Sequence, residues 1–288
     1  MIKERENSKS GDPWPEDYQC AVVLSFDFDA ESDELRTAPD KVVPLTKGKY
    51  GATLGLDRIF RTVEGSSLPA TFFVPGWVAE NYPERTKEIE RRGFEIGGHG
   101  YLHEKVSELG WQNEKRILKK SISGIRKVTG RNPVGYRAPW FDFSKHSLGL
   151  LSELGYEYDS SLMNQDLPFF VKLPVSKAKP LVELPVDWSL DDYPAFELHG
   201  KSPREVREIW QAEFDALYSE GSLSLDDAPR MHWKSVANHH AARVHSTYAN
   251  QGQSMVRVSR GSFEMVAVSA RERSTNRTRI LSKLKGAL

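Results

Sequence analysis

The sequence predicts an α/β fold of βα units around a parallel sheet, and three observations point there. Stretches with helical spacing repeatedly end in glycine and feed a short apolar run, the rhythm of helices returning the chain to the start of the next parallel strand. The residues able to do chemistry fall at the carboxyl ends of those runs, where β/α barrels and open α/β sheets build their sites. The chain of 288 residues is long enough to bury the core of one large domain.

Residues 1–18 hold Gly11, Pro13 and Pro15 among charges and predict an irregular arm. An apolar strand follows over 20–26. Leu54, Leu56, Ile59, Phe60 and Val63 lie on one helical face and predict a helix over 54–64. Residues 70–74 form a β-branched and aromatic strand, and 83–92 a charged helix stopped by Gly93. A strand over 94–96 precedes an amphipathic helix over 114–129 that Gly130 ends. The pattern repeats with a strand at 134–136, a helix at 146–154 closed by Gly155, and a strand at 181–184. Ser202-Pro203-Arg204-Glu205 supplies a cap, a first-turn proline and an early acid, so it opens a helix running to Glu220 and stopping at Gly221.

Two motifs carry the chemistry. In Ser25-Phe26-Asp27-Phe28-Asp29-Ala30-Glu31 the carboxylates are two apart and share a side in extended chain. In His99-Gly100-Tyr101-Leu102-His103 the imidazoles are four apart, one turn if the segment is helical. An acidic pair closing a strand, or two histidines on a helix, is commonplace alone. Together they offer a divalent cation one oxygen and two nitrogen ligands and leave one carboxylate to serve as a base.

Basic and acidic residues balance, 40 against 40, which gives no argument for nucleic acid or an anionic membrane as partner. The first ten residues lack an apolar core and no run is long enough to span a bilayer. Cys20 is the only cysteine, so no disulfide forms within the chain. A cytoplasmic protein is expected.

With these motifs in order, the chain resembles the polysaccharide deacetylases, the NodB-like carbohydrate esterases of family 4. It looks most like a cytoplasmic-type branch that includes peptidoglycan deacetylase-like proteins and some cyclic-imide and ureide hydrolases. The resemblance spans about residues 15–221. It implies a distorted (β/α) barrel of the NodB-like type, a divalent metal, Zn2+ first, and hydrolysis of a non-peptide C–N bond. An N-acetylated amino sugar or polysaccharide is the first substrate class, a cyclic imide or ureide the alternative. It further implies Asp27 as catalytic base, Asp29, His99 and His103 as metal ligands, and Arg137, in Arg137-Ala138-Pro139-Trp140, as the residue orienting the base. Pro139, Trp140, Asp187 and Trp188 would line the substrate groove, and Tyr158 to Met163 also resembles this branch. Trp140 and Trp188 would otherwise read as core aromatics, Asp191 and Asp192 as loop solvation, and His146 and His199 as structural. The partners implied are a small molecule or oligosaccharide, without nucleic acid or membrane; homo-oligomerisation is left open.

The carboxyl-terminal part departs from this pattern. The family takes its general acid from a late strand ending in His-Pro, and this sequence has no His-Pro. His232, His239 and His240 do not follow an apolar strand. From Ala228 onward there are 11 Lys/Arg and 2 Asp/Glu, without the β/α rhythm. Codons for Ser222 to Pro229, read one base later, can spell Pro-Phe-Leu-Leu-Thr-Met-His-Pro, an apolar strand with the missing motif. Residues 250–263 in that frame regain a helix end, a strand and a helix. The domain is therefore expected over 19–221, incomplete at its carboxyl end, with 222–288 an atypical tail produced by a shifted frame. A chain lacking its acid could survive as an inactive binding or structural protein, the reading from another functional class.

Overall fold

The computed structural model describes residues 20–66, 68–173, 180–220, 223–227, 254–260 and 263–269. The arm expected over 1–18 lies outside them, as do His232, His239, His240 and most of the tail.

Strand β1 (Cys20–Asp27) is followed by three helices, α1 (Ser32–Thr37), α2 (Val42–Tyr50) and α3 (Leu56–Ser66), a π-helical turn at Gly51–Gly55 joining the last two. Next come β2 (Thr71–Val74), α4 (Gly76–Asn81), α5 (Pro83–Arg91), β3 (Glu95–Gly98) and α6 (Trp111–Thr129). Strand β4 (Gly135–Tyr136), α7 (Ser147–Leu154), β5 (Tyr158–Asp159), β6 (Phe169–Val171) and β7 (Leu181–Glu183) lead to α8 (Pro203–Glu220). Three more strands are β8 (Leu223–Asp227), β9 (Ser254–Arg260) and β10 (Phe263–Ser269).

The sheet runs β6-β7-β5-β4-β3-β2-β1-β10-β9, with β8 also paired to β1. From β1 through β5 to β7 every pairing is parallel. The described strands form a curled half-barrel whose path does not return on itself. An antiparallel hairpin, β9–β10, lies on β1 at Cys20 to Val22, and β6 is antiparallel to β7. Neither antiparallel addition has a helix-to-strand signature, so the βα rhythm gave no sign of them.

Burial on both faces explains the unbroken apolar run of β2. Phe72 joins Phe26, Ile59, Phe60 and Val63 beneath the helices, while Phe73 faces Val23, Tyr158 and Leu184 inside the curl. Helix α3 contributes Leu56, Ile59, Phe60 and Val63, the expected stripe, with Leu54 left exposed in the π-helical turn. Helices α6 and α7 end at Gly130 and Gly155, both left-handed, as their positions predict. The opening of α8 is a capping box: the Glu205 carboxylate accepts the Ser202 N–H at 2.8 Å, and the Glu205 N–H donates to the Ser202 hydroxyl at 3.4 Å. Among the described residues no helix is long and apolar enough to cross a membrane.

The curl depends on close approach at β4. A methyl carbon on Gly135 would stand 2.1 Å from the Tyr158 ring, whereas one on Gly149 in α7 would meet open space. Gly135→Ala is therefore expected to cost about 1–3 kcal/mol or more, and Gly149→Ala to gain up to about 1 kcal/mol. Guanidinium unfolding midpoints of the two variants check this; similar midpoints would contradict the packing.

Candidate metal centre and its carboxylate neighbour

The carboxyl ends of β1, β3, β4 and β5 meet at one point. Strand β1 ends at Asp27, and the chain leaves it through Phe28, whose N–H still bonds Phe73 at 2.8 Å. Asp29 is buried, and its carbonyl accepts the Ser32 N–H that opens α1. Its carboxylate lies 3.5 Å from His99 Nε2 and 3.7 Å from His103 Nε2, and the imidazole rings are 4.9 Å apart.

The two histidines do not sit on a helix. They flank a turn after β3, and His103 has a left-handed backbone, φ 56°. Glu104 shapes this turn by accepting the N–H groups of Tyr101 and Leu102, both at 2.9 Å. The four-residue spacing brings the imidazoles together through that turn instead of through helical periodicity.

Hydrogen bonds fix which ring nitrogen holds the proton. His99 Nδ1 lies 2.8 Å from the Arg137 carbonyl oxygen, an acceptor only, so Nδ1 donates and Nε2 keeps its lone pair. His103 Nδ1 lies 3.2 Å from Asp33, which fixes it in the same sense. Both Nε2 lone pairs then face Asp29, and His99 Nε2 is buried without a hydrogen bond. Electron pairs turned on a carboxylate in a buried space repel unless a cation lies between them. The donor set thus fits a divalent cation, and the three ligand atoms lie within 4.8 Å of one another.

Asp27 stands beside this cluster, 3.6 Å from His99 Nε2, and is the more open of the two carboxylates. Arg137 grips it from behind. The Arg137 side chain is fully buried, and Nη1 donates to Asp27 at 3.2 Å. Nη2 donates to the hydroxyls of Ser25 and Ser160, and Nε to the Ser160 carbonyl. The guanidinium lies 4.4 Å from the Phe73 ring centroid and 5.7 Å from that of Phe141.

An aromatic rim borders the cluster. Trp140 meets His103 at 5.7 Å and Tyr193 at 5.4 Å, and the Lys105 ammonium lies 5.1 Å from its ring. Phe141 contacts Trp188 edge-on at 5.3 Å, and Trp188 is 42 % exposed, so neither indole is a core residue. Pro139 is buried beneath this rim. Asp187 is exposed, and its carboxylate accepts the Ser189 N–H at 2.7 Å, capping the short turn that presents Trp188. Asp192 is buried, contrary to a solvating role, while Asp191 accepts the Tyr193 N–H.

Sequence reasoning brought together Asp27, Asp29, His99, His103 and Arg137 but missed Asp33, Glu104, Ser25 and Lys105. Asp33 carried a faint signal, lying four residues past Asp29. The rest act through contacts between distant segments.

The profile of the family described as Polysaccharide deacetylase matches residues 36–158. The chain is 32 % identical over 233 residues to the peptidoglycan deacetylase of Helicobacter pylori, covering 70 % of this chain and 80 % of the relative. It is 27 % identical to the peptidoglycan deacetylase-like protein FGM2 of Gibberella zeae, over 69 % of each chain. A Mycobacterium smegmatis crystal structure assigned to the polysaccharide deacetylases superposes with a TM-score of 0.74 at 36 % identity, over 82 % of this chain and 85 % of that one. The PuuE allantoinase shares the fold, with a TM-score of 0.74 at 19 % identity over 86 % of this chain and 92 % of that one. Motif order, half-barrel and these likenesses agree: the chain belongs to the polysaccharide deacetylase family, whose members are hydrolases of C–N bonds.

Proposed function

We propose that this chain is a metal-dependent deacetylase acting on an acetylated amino sugar or polysaccharide. The observation that carries the reading is the convergence of Asp29, His99 and His103 beside Asp27, a second carboxylate held by a buried arginine. Those three residues would hold the cation, and Zn2+ suits one oxygen and two nitrogens. When bound, such an ion polarises a carbonyl and lowers the pKa of water. Asp27 takes the proton as water adds to the amide carbon, Arg137 holds its carboxylate in place for that transfer, and the leaving nitrogen takes up that proton from Asp27 as the C–N bond breaks. Pro139, Trp140, Asp187 and Trp188 line the groove, the indoles giving flat faces for a sugar ring. Two relatives are named for peptidoglycan, which makes that polymer the first substrate to try.

The same base and water would open a cyclic imide or ureide. A turnover screen separates the readings: acetylated chitooligosaccharides and peptidoglycan against cyclic ureides and imides, each with and without added zinc. Zinc-dependent acetate release supports the proposal. Turnover of cyclic amides alone transfers the site to the alternative, and no turnover at all favours a binding or structural role.

Substitutions divide the roles. Asp27→Asn should lower turnover by about 10²–10⁴-fold while metal stays bound. Asp29→Asn, His99→Ala and His103→Ala should instead lower metal occupancy, read by elemental analysis; equal metal content in all four would end the assignment. Asp33→Ala should weaken metal affinity by about 10–100-fold, measured by chelator competition, because His103 loses its Nδ1 partner.

The deacetylase domain is taken as 19–221, acting in the cytoplasm, with the residues beyond Gly221 in a shifted frame. Expression of the given chain beside one continued in the other frame tests this. The second should melt more cooperatively and turn over substrate about 10²–10⁴-fold faster, because it regains the general acid; equal behaviour of both would show the tail to be native.

A further inference from the structure

Asp159 and Glu183 lie directly opposite each other at the ends of β5 and β7, and neither has any exposed surface. Two carboxylates in that relation repel, so the pair needs a reason to exist. One oxygen of each is well served. Glu183 accepts the N–H groups of Ser161 and Leu162 at 2.9 and 2.8 Å, and Asp159 accepts the Ser161 hydroxyl at 2.9 Å. The other oxygen of each is buried and meets no donor. The two side chains are neighbours across the parallel strand pair, each with an oxygen no donor reaches, and two buried carboxylates so placed can settle together only with a proton between them.

The turn that the pair grips is the one that holds Arg137. Ser160 receives two of the guanidinium's hydrogen bonds, and the Ser161 hydroxyl accepts the Ala138 N–H at 2.9 Å. We propose that Asp159 and Glu183 are positioning residues for the deacetylation, sharing one proton that locks the 160–162 turn and so holds Arg137 against Asp27. The catalytic part of this rests on the function proposed above.

Burial pushes both groups up, Asp159 to about 7 and Glu183 well above the usual carboxylate range. From β4, Arg137 and Tyr136 face Asp159, and from β7 only Glu183. Tyr158, beside it on β5, turns its hydroxyl to Thr71 and Glu95. The sign follows: the folded pair keeps protons that the unfolded chain releases near pH 4, so stability falls as pH rises from there into the pair's raised range, which begins at about 7 and extends above it.

Glu183→Gln tests this, because its amide can donate to Asp159 at every pH while its oxygen keeps both N–H groups. Urea midpoints from about pH 5 to about 9 should fall for the natural chain and stay level for Glu183→Gln. With an acetylated chitooligosaccharide, kcat of the natural chain should drop over the same range with KM little moved. The upper limit for Glu183→Gln should shift by about one unit or more. Glu183→Ala should lower kcat about tenfold or more at every pH, since the turn loses its acceptor. Superposable profiles for the natural chain and Glu183→Gln overturn the proposal. So does failure of both Glu183→Gln and Asp159→Asn to fold, since each amide should replace the shared proton. Absence of turnover on every substrate refutes the deacetylase reading instead, and the midpoints still decide whether the proton is shared.

Discussion

The buried guanidinium of Arg137 is the contact on which the rest of the site depends. A cation without exposed surface is costly unless its donors are satisfied and its charge is balanced. Arg137 meets that demand by reaching out from β4 in several directions. It takes Asp27 and Ser25 from β1, Ser160 from the turn after β5, and lies over Phe73 from β2. Its own carbonyl receives the imidazole N–H of His99 beyond β3. One residue therefore ties together five strand ends, and the carboxylate and an imidazole of the site are positioned by the same side chain and backbone unit.

Backbone strain gathers at the same place. Four residues other than glycine have a left-handed backbone among those described: Ala30, His103, Trp140 and Phe141. Ala30 follows Asp29 and His103 is itself in the candidate metal cluster, and Trp140 and Phe141 form the rim. Such conformations cost roughly 1 kcal/mol or more each and persist where surrounding contacts enforce them. Here those contacts are visible: the Glu104 clamp on the histidine turn, and the Trp140 contacts with His103 and Tyr193.

Much of this was legible in the sequence because it is local. Glycine stops, the Ser202–Glu205 box and the stripe on α3 each depend on residues a few positions apart. Asp27 with Asp29, and His99 with His103, were legible for the same reason, down to the side they share. The path between the histidines was not, since Glu104 and a left-handed residue decide it and spacing cannot distinguish a turn from a helix. The roles of Asp33, Ser160 and the Asp159–Glu183 pair were hidden for a different reason, although Asp33 is spaced four from Asp29 and residues 158–163 carried a family likeness. Each is an unremarkable polar residue until a distant strand is brought beside it. The β9–β10 hairpin and β8 were missed because their segment has none of the helix-to-strand periodicity on which the reading relied.

Both imidazoles are held at Nδ1 by the protein itself, one by a carbonyl and the other by a carboxylate. Their rotamer entropy is surrendered during folding, not during loading. A cage of this kind differs from a zinc finger, whose ligands come together only around the ion and which unfolds without it. A cation held as proposed would find its imidazoles already oriented, so folding would not depend on it. Which ion such a cage took would then depend on the supply of ions where the protein works, as much as on the selectivity of its donors.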